Sequence, residues 1–248
     1  MGTATPAGAV FFRAPSSYPD NIVRQKAELV QNFALFADVP PEDCEAIVAL
    51  ARTLHFARGQ TISLEGDHVR HAILLTSGCL KLSQAGPQGQ EVIVRVVAPG
   101  ENFSTDSLPK SMDCSKAVAV EPSAALVWEA KQFEVAAERF PVFRRNVSHA
   151  LLRLLNQMEV RFREVSTEKV APRLSSQLVR LSSQVGKASD GHVEVSFSRQ
   201  DLAQLTGTTL FTVSRLLCQW EDQGIVKPGR GKVLILNVAA LVGLSQSE

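Results

Sequence analysis

Near residue 133 the spacing of apolar side chains changes, and the new spacing persists as far as residue 165. Val147, Leu151, Leu154, Met158 and Val165 follow in four- and three-residue steps, with Arg161 in the one polar slot of the series. Such steps place side chains on one stripe of a helix, and their alternation is the seam of a two-stranded coiled coil. The spacing therefore predicts a long helix over residues 143–165, just past Pro141. Its interface with a second copy of the chain is then Val147, Leu151, Leu154, Met158, Arg161 and Val165. Leu155 and Phe162 form a second stripe, expected to rest on the chain's own preceding domain. The rival reading lays the whole helix on that domain's core.

Upstream the period is different. Residues 1–24 are rich in Ala, Pro, Gly and Ser and are expected to form a flexible arm. Pro40-Pro41 before Glu42-Asp43 predicts a helix start, continued by Ile47, Leu50, Ala51 and Leu54. Short β-rich runs follow at 72–75, 79–82, 91–97 and 117–127. They are divided by turns at Gly59, Gly66, Ser77-Gly78, Gly86-Pro87-Gln88-Gly89 and Pro99-Gly100. Many short strands between such turns indicate a sandwich or barrel, so residues 25–132 are expected to form one β domain.

Downstream of the linker and long helix (133–166), a third unit spans 167–248. It begins with an amphipathic helix over 171–185 carrying Leu174, Leu178 and Leu181, followed by a polar turn and a strand over 192–197. Ser198-Arg199-Gln200-Asp201 has capping-box spacing, and Gly207 ends the short helix it starts. A second helix, from about Thr208-Thr209 to Gln223, carries Val213, Leu216, Leu217 and Trp220 on one face and Phe211, Ser214, Arg215 and Cys218 on the other. Helix, glycine turn and helix is the layout whose second helix enters the DNA major groove. The hairpin tip Lys227-Pro228-Gly229-Arg230-Gly231-Lys232 reads as a basic wing for a phosphate backbone.

Charge contributes little. The 248 residues hold 26 Lys plus Arg and 25 Asp plus Glu, and from Ser166 onward there are nine basic residues against seven acidic. Affinity for DNA must come from a local patch, doubled by a dimer. No apolar run reaches the roughly 18 residues of a membrane span, and residues 1–15 lack a signal-peptide pattern. Four scattered cysteines, Cys44, Cys79, Cys114 and Cys218, argue against a disulfide scaffold or structural zinc. The expectation is a metal-free, cytoplasmic protein without a membrane partner.

These motifs together resemble the CRP/FNR family, the cyclic-AMP receptor protein and fumarate-nitrate reductase regulators. The resemblance rests on Gly59-x-x-Ile62-x-x-Glu65-Gly66-Asp67, Ser77-Gly78-x-Leu80-Lys81 and Pro99-Gly100-Glu101-x-Phe103. In the C-terminal part it rests on Ser198-Arg199-Gln200-Asp201-Leu202-Ala203, Gly207 and Thr212-Val213-Ser214-Arg215. It implies an α+β fold: an N-terminal double-stranded β-helix (a jelly roll like cyclic-nucleotide-binding domains), a long dimerisation helix and a C-terminal winged helix-turn-helix. It also implies a non-enzymatic homodimer on a palindromic operator with half-sites about 34–36 Å apart, and RNA polymerase as a partner. Arg215 is then the first candidate for reading bases, followed by Ser214 and Phe211. Thr208, Thr212, Arg230 and Lys232 are candidates for phosphate, and Thr209 and Gln200 complete the DNA-binding set.

Departures from the family pattern bear on the signal. The effector pocket is expected at Glu101, Phe103, Ser104, Cys114 and Ser115. Ser104 and Thr105 stand where nucleotide-binding relatives have Gly-Glu, and Cys114 stands where they place arginine on the cyclic phosphate. Losing that guanidinium costs a buried phosphate several kcal/mol, so cyclic AMP or GMP is disfavoured. An iron–sulfur cluster is disfavoured too, since no cysteine precedes Cys44. Haem stays open through His55, His149 or the His68 and His71 pair near Cys79, although that pair is expected on an exposed turn. No other cofactor is implied. Phe211 replaces an acidic residue common in the family and is suited to a thymine methyl. Two other classes compete: a cupin-like enzyme, for which the histidines are too scattered, and a cyclic-nucleotide-like regulatory module acting on a protein partner.

Overall fold

A computed structural model describes residues 19–68, 70–103 and 115–246. Helix α1 (Asp20–Val30) packs on α2 (Pro41–Ala49), with a single 3-10 turn, Ala34–Phe36, between them. Strands β1 (Arg52–Phe56), β2 (Thr61–Ser63), β3 (His71–Ser77), β4 (Leu80–Ala85), β5 (Glu91–Val97), β6 (Asn102–Phe103), β7 (Lys116–Ala119) and β8 (Ser123–Glu129) follow. They form two four-stranded sheets, ordered β1-β8-β3-β6 and β2-β7-β4-β5. Apolar residues on their facing sides, among them Phe56, Leu75, Leu80, Val97, Phe103 and Val127, fill the space between the sheets. The other side of the first sheet, through Ala72, Leu74, Leu126 and Trp128, is covered by the N-terminal helices and by α3 (Ala130–Arg139) and α4 (Pro141–Thr167). Both faces of β3 and β8 are therefore buried, which is why those strands read as apolar runs rather than alternations. The Trp128 indole N–H donates to the Ile47 carbonyl at 2.8 Å, tying sheet to helix.

Two expectations are corrected here. Residues 20–24 belong to helix α1 rather than to a flexible arm, because Ala27 and Val30 of that helix are buried in the core. The helix expected to continue through Leu54 stops at Ala49, and Leu54 lies in β1 opposite Ala125. Its helical spacing is coincidental, since pairing with β8 satisfies the backbone there.

Pro141 opens α4 at its first turn, where a missing N–H costs nothing. Helix α5 (Val170–Gln184) then leads into the C-terminal unit of β9 (Lys187–Ser189), β10 (His192–Val195), α6 (Arg199–Thr206), α7 (Leu210–Asp222), β11 (Val226–Gly229), β12 (Lys232–Ile235) and α8 (Val238–Ser245). Its strands run β11-β12-β10-β9, and its core is Leu174, Leu178, Leu181, Leu202, Leu205, Val213, Leu217, Trp220 and their neighbours. Cys79, Ile93, Val96 and Val120 of the β-roll belong to the same apolar cluster, so the outer face of β4 and β5 is sealed against α6. Lys81 donates to Asp201 at 2.5 Å across that seam, Gln204 to Glu91 at 3.2 Å, and Lys187 pairs with Glu121.

Candidate nucleic-acid interface

Local chemistry builds the helix-turn-helix. The Ser198 hydroxyl accepts from the Asp201 N–H at 3.1 Å, and the Asp201 carboxylate accepts from the Ser198 N–H at 3.0 Å, so two orphan amides of α6 are satisfied reciprocally. Burial alone would raise the Asp201 pKa, but hydrogen bonds from Lys81 and Ser198 and the Lys81 charge hold it below the usual carboxylate value. Gly207 closes α6 in the left-handed region at φ 60°, open to glycine without strain. Thr209 caps α7, its hydroxyl accepting from the Thr212 N–H at 3.2 Å and lying 2.9 Å from the Thr212 hydroxyl.

Helix α7 presents two faces of opposite character. Val213, Leu216, Leu217 and Trp220 are buried. Leu210, Phe211, Arg215 and Cys218 are exposed, Phe211 at 77%, and Ser214 and Thr212 are half-buried. Arg215 makes no hydrogen bond or ion pair among the described residues, so its five donors are free for a ligand. Thr208 is half-buried and Gln200 exposed at the start of α6.

The wing forms through Gly229 opposite Lys232, with Arg230-Gly231 as a two-residue turn and Gly231 at φ 72°. Arg230 and Lys227 are exposed, whereas the Lys232 ammonium donates to Glu194 at 2.7 Å. Lys232 would have to share its charge with any phosphate. A residue that sequence reasoning missed lies here: a Cβ added at Gly231 would be 3.2 Å from the Arg58 guanidinium of the β-roll. No local pattern signals Arg58, because only the docking of the two domains brings it to the wing.

The stripes of α4 are distributed differently from the expectation. Leu151, Leu155, Met158, Phe162 and Val165 are all more than half exposed, Phe162 at 75%. They follow in steps of four, three, four and three, so the outward heptad seam includes the two residues assigned to the home domain. Val147 packs on the N-terminal core, Leu154 is half-buried, and Arg161 bonds carbonyls of its own chain. Both stripes have heptad spacing, and periodicity alone does not say which one meets the β-roll.

Of the expected effector residues, Glu101, Phe103 and Ser115 lie among the described ones. The Glu101 carboxylate folds back on its own turn, accepting from the Ala98 N–H at 3.2 Å and lying 3.4 Å from the Arg95 guanidinium. Phe103 is 4% exposed inside the roll, and the Ser115 hydroxyl accepts from Gln84 at 3.3 Å. Ser104 and Cys114 lie outside the described residues. Two grooves open along α4: one of about 270 Å³ with Val94, Val96, Leu154 and Met158 in its wall, and one of about 320 Å³ beside Phe33, Glu101 and Arg153. Arg95 lines both, and burial pushes its guanidinium below its ordinary pKa.

Of the His68 and His71 pair, one lies as expected and the other does not. His68 is exposed, but His71 opens β3, half-buried, 3.5 Å from Glu129. Cys79 is 2% exposed, and burial pushes its thiol well above the ordinary range. No group of three or more His, Cys, Asp or Glu that could hold a metal ion occurs among the described residues, and no described helix is long and apolar enough to cross a membrane.

Two family models match parts of the chain. Residues 172–244 match the model of the Crp-like helix-turn-helix domain, and residues 53–140 match that of the cyclic nucleotide-binding domain. The chain is 28% identical to the "Cyclic AMP receptor protein" of Thermus thermophilus, covering 84% of this chain and 94% of the relative. It is 29% identical to the "Nitrogen fixation regulation protein FixK" of Bradyrhizobium diazoefficiens, covering 79% and 83%. The fold is shared with FixK2 from Bradyrhizobium japonicum at a TM-score of 0.71 and 21% identity, covering 80% of this chain and 98% of that one. With a β-roll, a long helix and a capped helix-turn-helix in this order, the chain has the architecture of a CRP/FNR-type transcriptional regulator.

Proposed function

We propose that the protein acts as a homodimer on a two-fold symmetric operator, one α7 per half-site, under a signal other than a cyclic nucleotide. The observation that carries the DNA reading is the outward face of α7, with an unpaired Arg215 beside a nearly fully exposed Phe211. A guanidinium so placed can donate twice to guanine O6 and N7, and the ring can cover a thymine methyl. Thr208, Thr209, Thr212, Gln200, Ser214, Arg230 and Lys232 surround it as further contacts to base and phosphate. The exposed α4 seam supports pairing, since apolar residues in heptad register over four turns are costly to leave in water.

The regulatory reading rests on the sequence at the phosphate position, where Cys114, beside Ser115, stands in place of arginine. A relative is named for cyclic AMP. In this chain the charge that would hold such a phosphate is missing at that position. RNA polymerase is the partner that a family member of this type would recruit. The test is selection of DNA sites from a randomised duplex pool, then mobility shifts at two salt concentrations with and without cyclic AMP. A palindrome bound equally with or without the nucleotide is the expected result. Binding without sequence preference overturns the operator, and tighter binding with cyclic AMP overturns the choice of signal.

A further inference from the structure

Strand β5 carries a bulge. Leu82 pairs with Arg95 but Ser83 pairs with Ile93, so Val94 is an extra residue without a partner on β4. A bulge turns backbone carbonyls away from the ladder. At this one they point toward α4, where Arg161 takes them: one terminal nitrogen donates to the Val94 carbonyl at 2.6 Å and the other to Ile93 at 3.2 Å.

The same guanidinium reaches a third element. Its second nitrogen also donates to the Leu205 carbonyl at 3.1 Å, in the last turn of α6. Carbonyls in a last turn have no partner within their helix, and cations there oppose the negative end of its dipole. The next one, Thr206, accepts from Arg173 of α5 at 2.8 Å. One residue further on, Gly207 begins the elbow into α7. Arg161 thus spans the β-roll bulge, the long helix and the hinge point of the DNA-reading pair.

We infer that Arg161 is the positioning residue that sets the separation of the two recognition helices, and through it the half-site spacing of the operator. The inference rests on the dimeric reading above. Turned inward, Arg161 is no part of the outward stripe; it joins the helix bearing that stripe to the C-terminal end of α6. In a symmetric pair two such joints hold both α7 helices at equal and opposite offsets from the axis. A planar fork suits three fixed carbonyls better than an ammonium, which is a point donor. Lys81 with Asp201 and Gln204 with Glu91 brace the same docking from the side of β4 and β5.

The test uses the full chain. Wild type first selects its palindrome from a randomised duplex pool. Wild type, Arg161→Met and Arg161→Lys are then titrated with that palindrome, with versions one base pair longer and shorter between half-sites, and with a single half-site, alongside thermal unfolding. Arg161→Met is expected to lose about tenfold on the selected spacing and no more than about twofold on the single half-site, flattening the preference among spacings. Arg161→Lys should fall between and covers the case in which the methionine variant does not fold. An equal loss on palindrome and single half-site in both variants, or an unchanged spacing preference, overturns the inference alone. If wild type selects no two-fold site, the dimeric operator reading fails first, and this inference with it.

Discussion

Helices α4 and α7 both bury one face and leave the other uncovered, yet the uncovered faces differ in kind. That of α4 is Leu, Leu, Met, Phe and Val in heptad register; that of α7 mixes Phe211 with Arg215, Cys218 and short polar side chains. An apolar seam gains free energy only against another apolar surface, in proportion to the area covered. A lone guanidinium among hydroxyls gains little from an apolar partner and much from an acceptor-rich edge or phosphate. Under the proposed function, one helix meets protein and the other a polyanion.

The sharpest way to break that contrast is to charge the seam. Phe162→Glu or Leu155→Glu should yield a monomer by sedimentation and lower operator affinity by about 100-fold or more, because the second half-site is no longer engaged intramolecularly. A dimer that survives both changes would remove the seam from the interface. Next in size is Arg215→Ala, expected to cost about 5- to 150-fold on the selected site with little change on non-specific duplex. Equal losses on both would show that the residue reads only phosphate. Phe211→Glu should change the preferred base beside the arginine-read guanine, and unchanged selected sequences would refute the apolar contact.

Smaller effects sharpen the comparison. Arg230→Ala should weaken binding to all sequences and reduce the salt slope by about one. Lys232→Ala should do less, since its ammonium is already shared with Glu194. Smallest is the acid limb of unfolding. The folded Asp201 carboxyl is held below its unfolded value, so its contribution is complete above about pH 4 and is lost as pH falls through the lower, folded value. Asp201→Asn should remove about 1 kcal/mol at neutral pH and make that limb shallower; an acid limb of unaltered steepness would mean the pair with Lys81 does not form.

How far the sequence could be read varied with the range of the interactions. The capping box at Ser198 and Asp201, the Gly207 turn and the buried face of α7 depend on neighbours within a few residues, and each lies where the pattern predicts. The wing hairpin forms too, but its turn is only Arg230-Gly231, since pairing draws residues 227–229 and Lys232 into the strands. Leu54 fits the helical spacing yet lies in β1, because an apolar residue suits a helix or a strand equally until β8 pairs with it. Glu101 is expected in the effector pocket, and what the sequence does not show is that its carboxylate accepts from the Ala98 N–H of its own turn.

The sequence by itself determined the order of the units, the start and stop of the DNA-reading helices and the existence of two apolar stripes on α4, since all follow from backbone geometry and local capping. Tertiary structure decided how they divide: Leu151, Met158 and Val165 of the one turn outward together with Leu155 and Phe162 of the other. Both have heptad spacing, but the bulge at Val94 offers carbonyls that only a donor can meet. Arg161 therefore faces inward, and Leu155 and Phe162 are left on the outside.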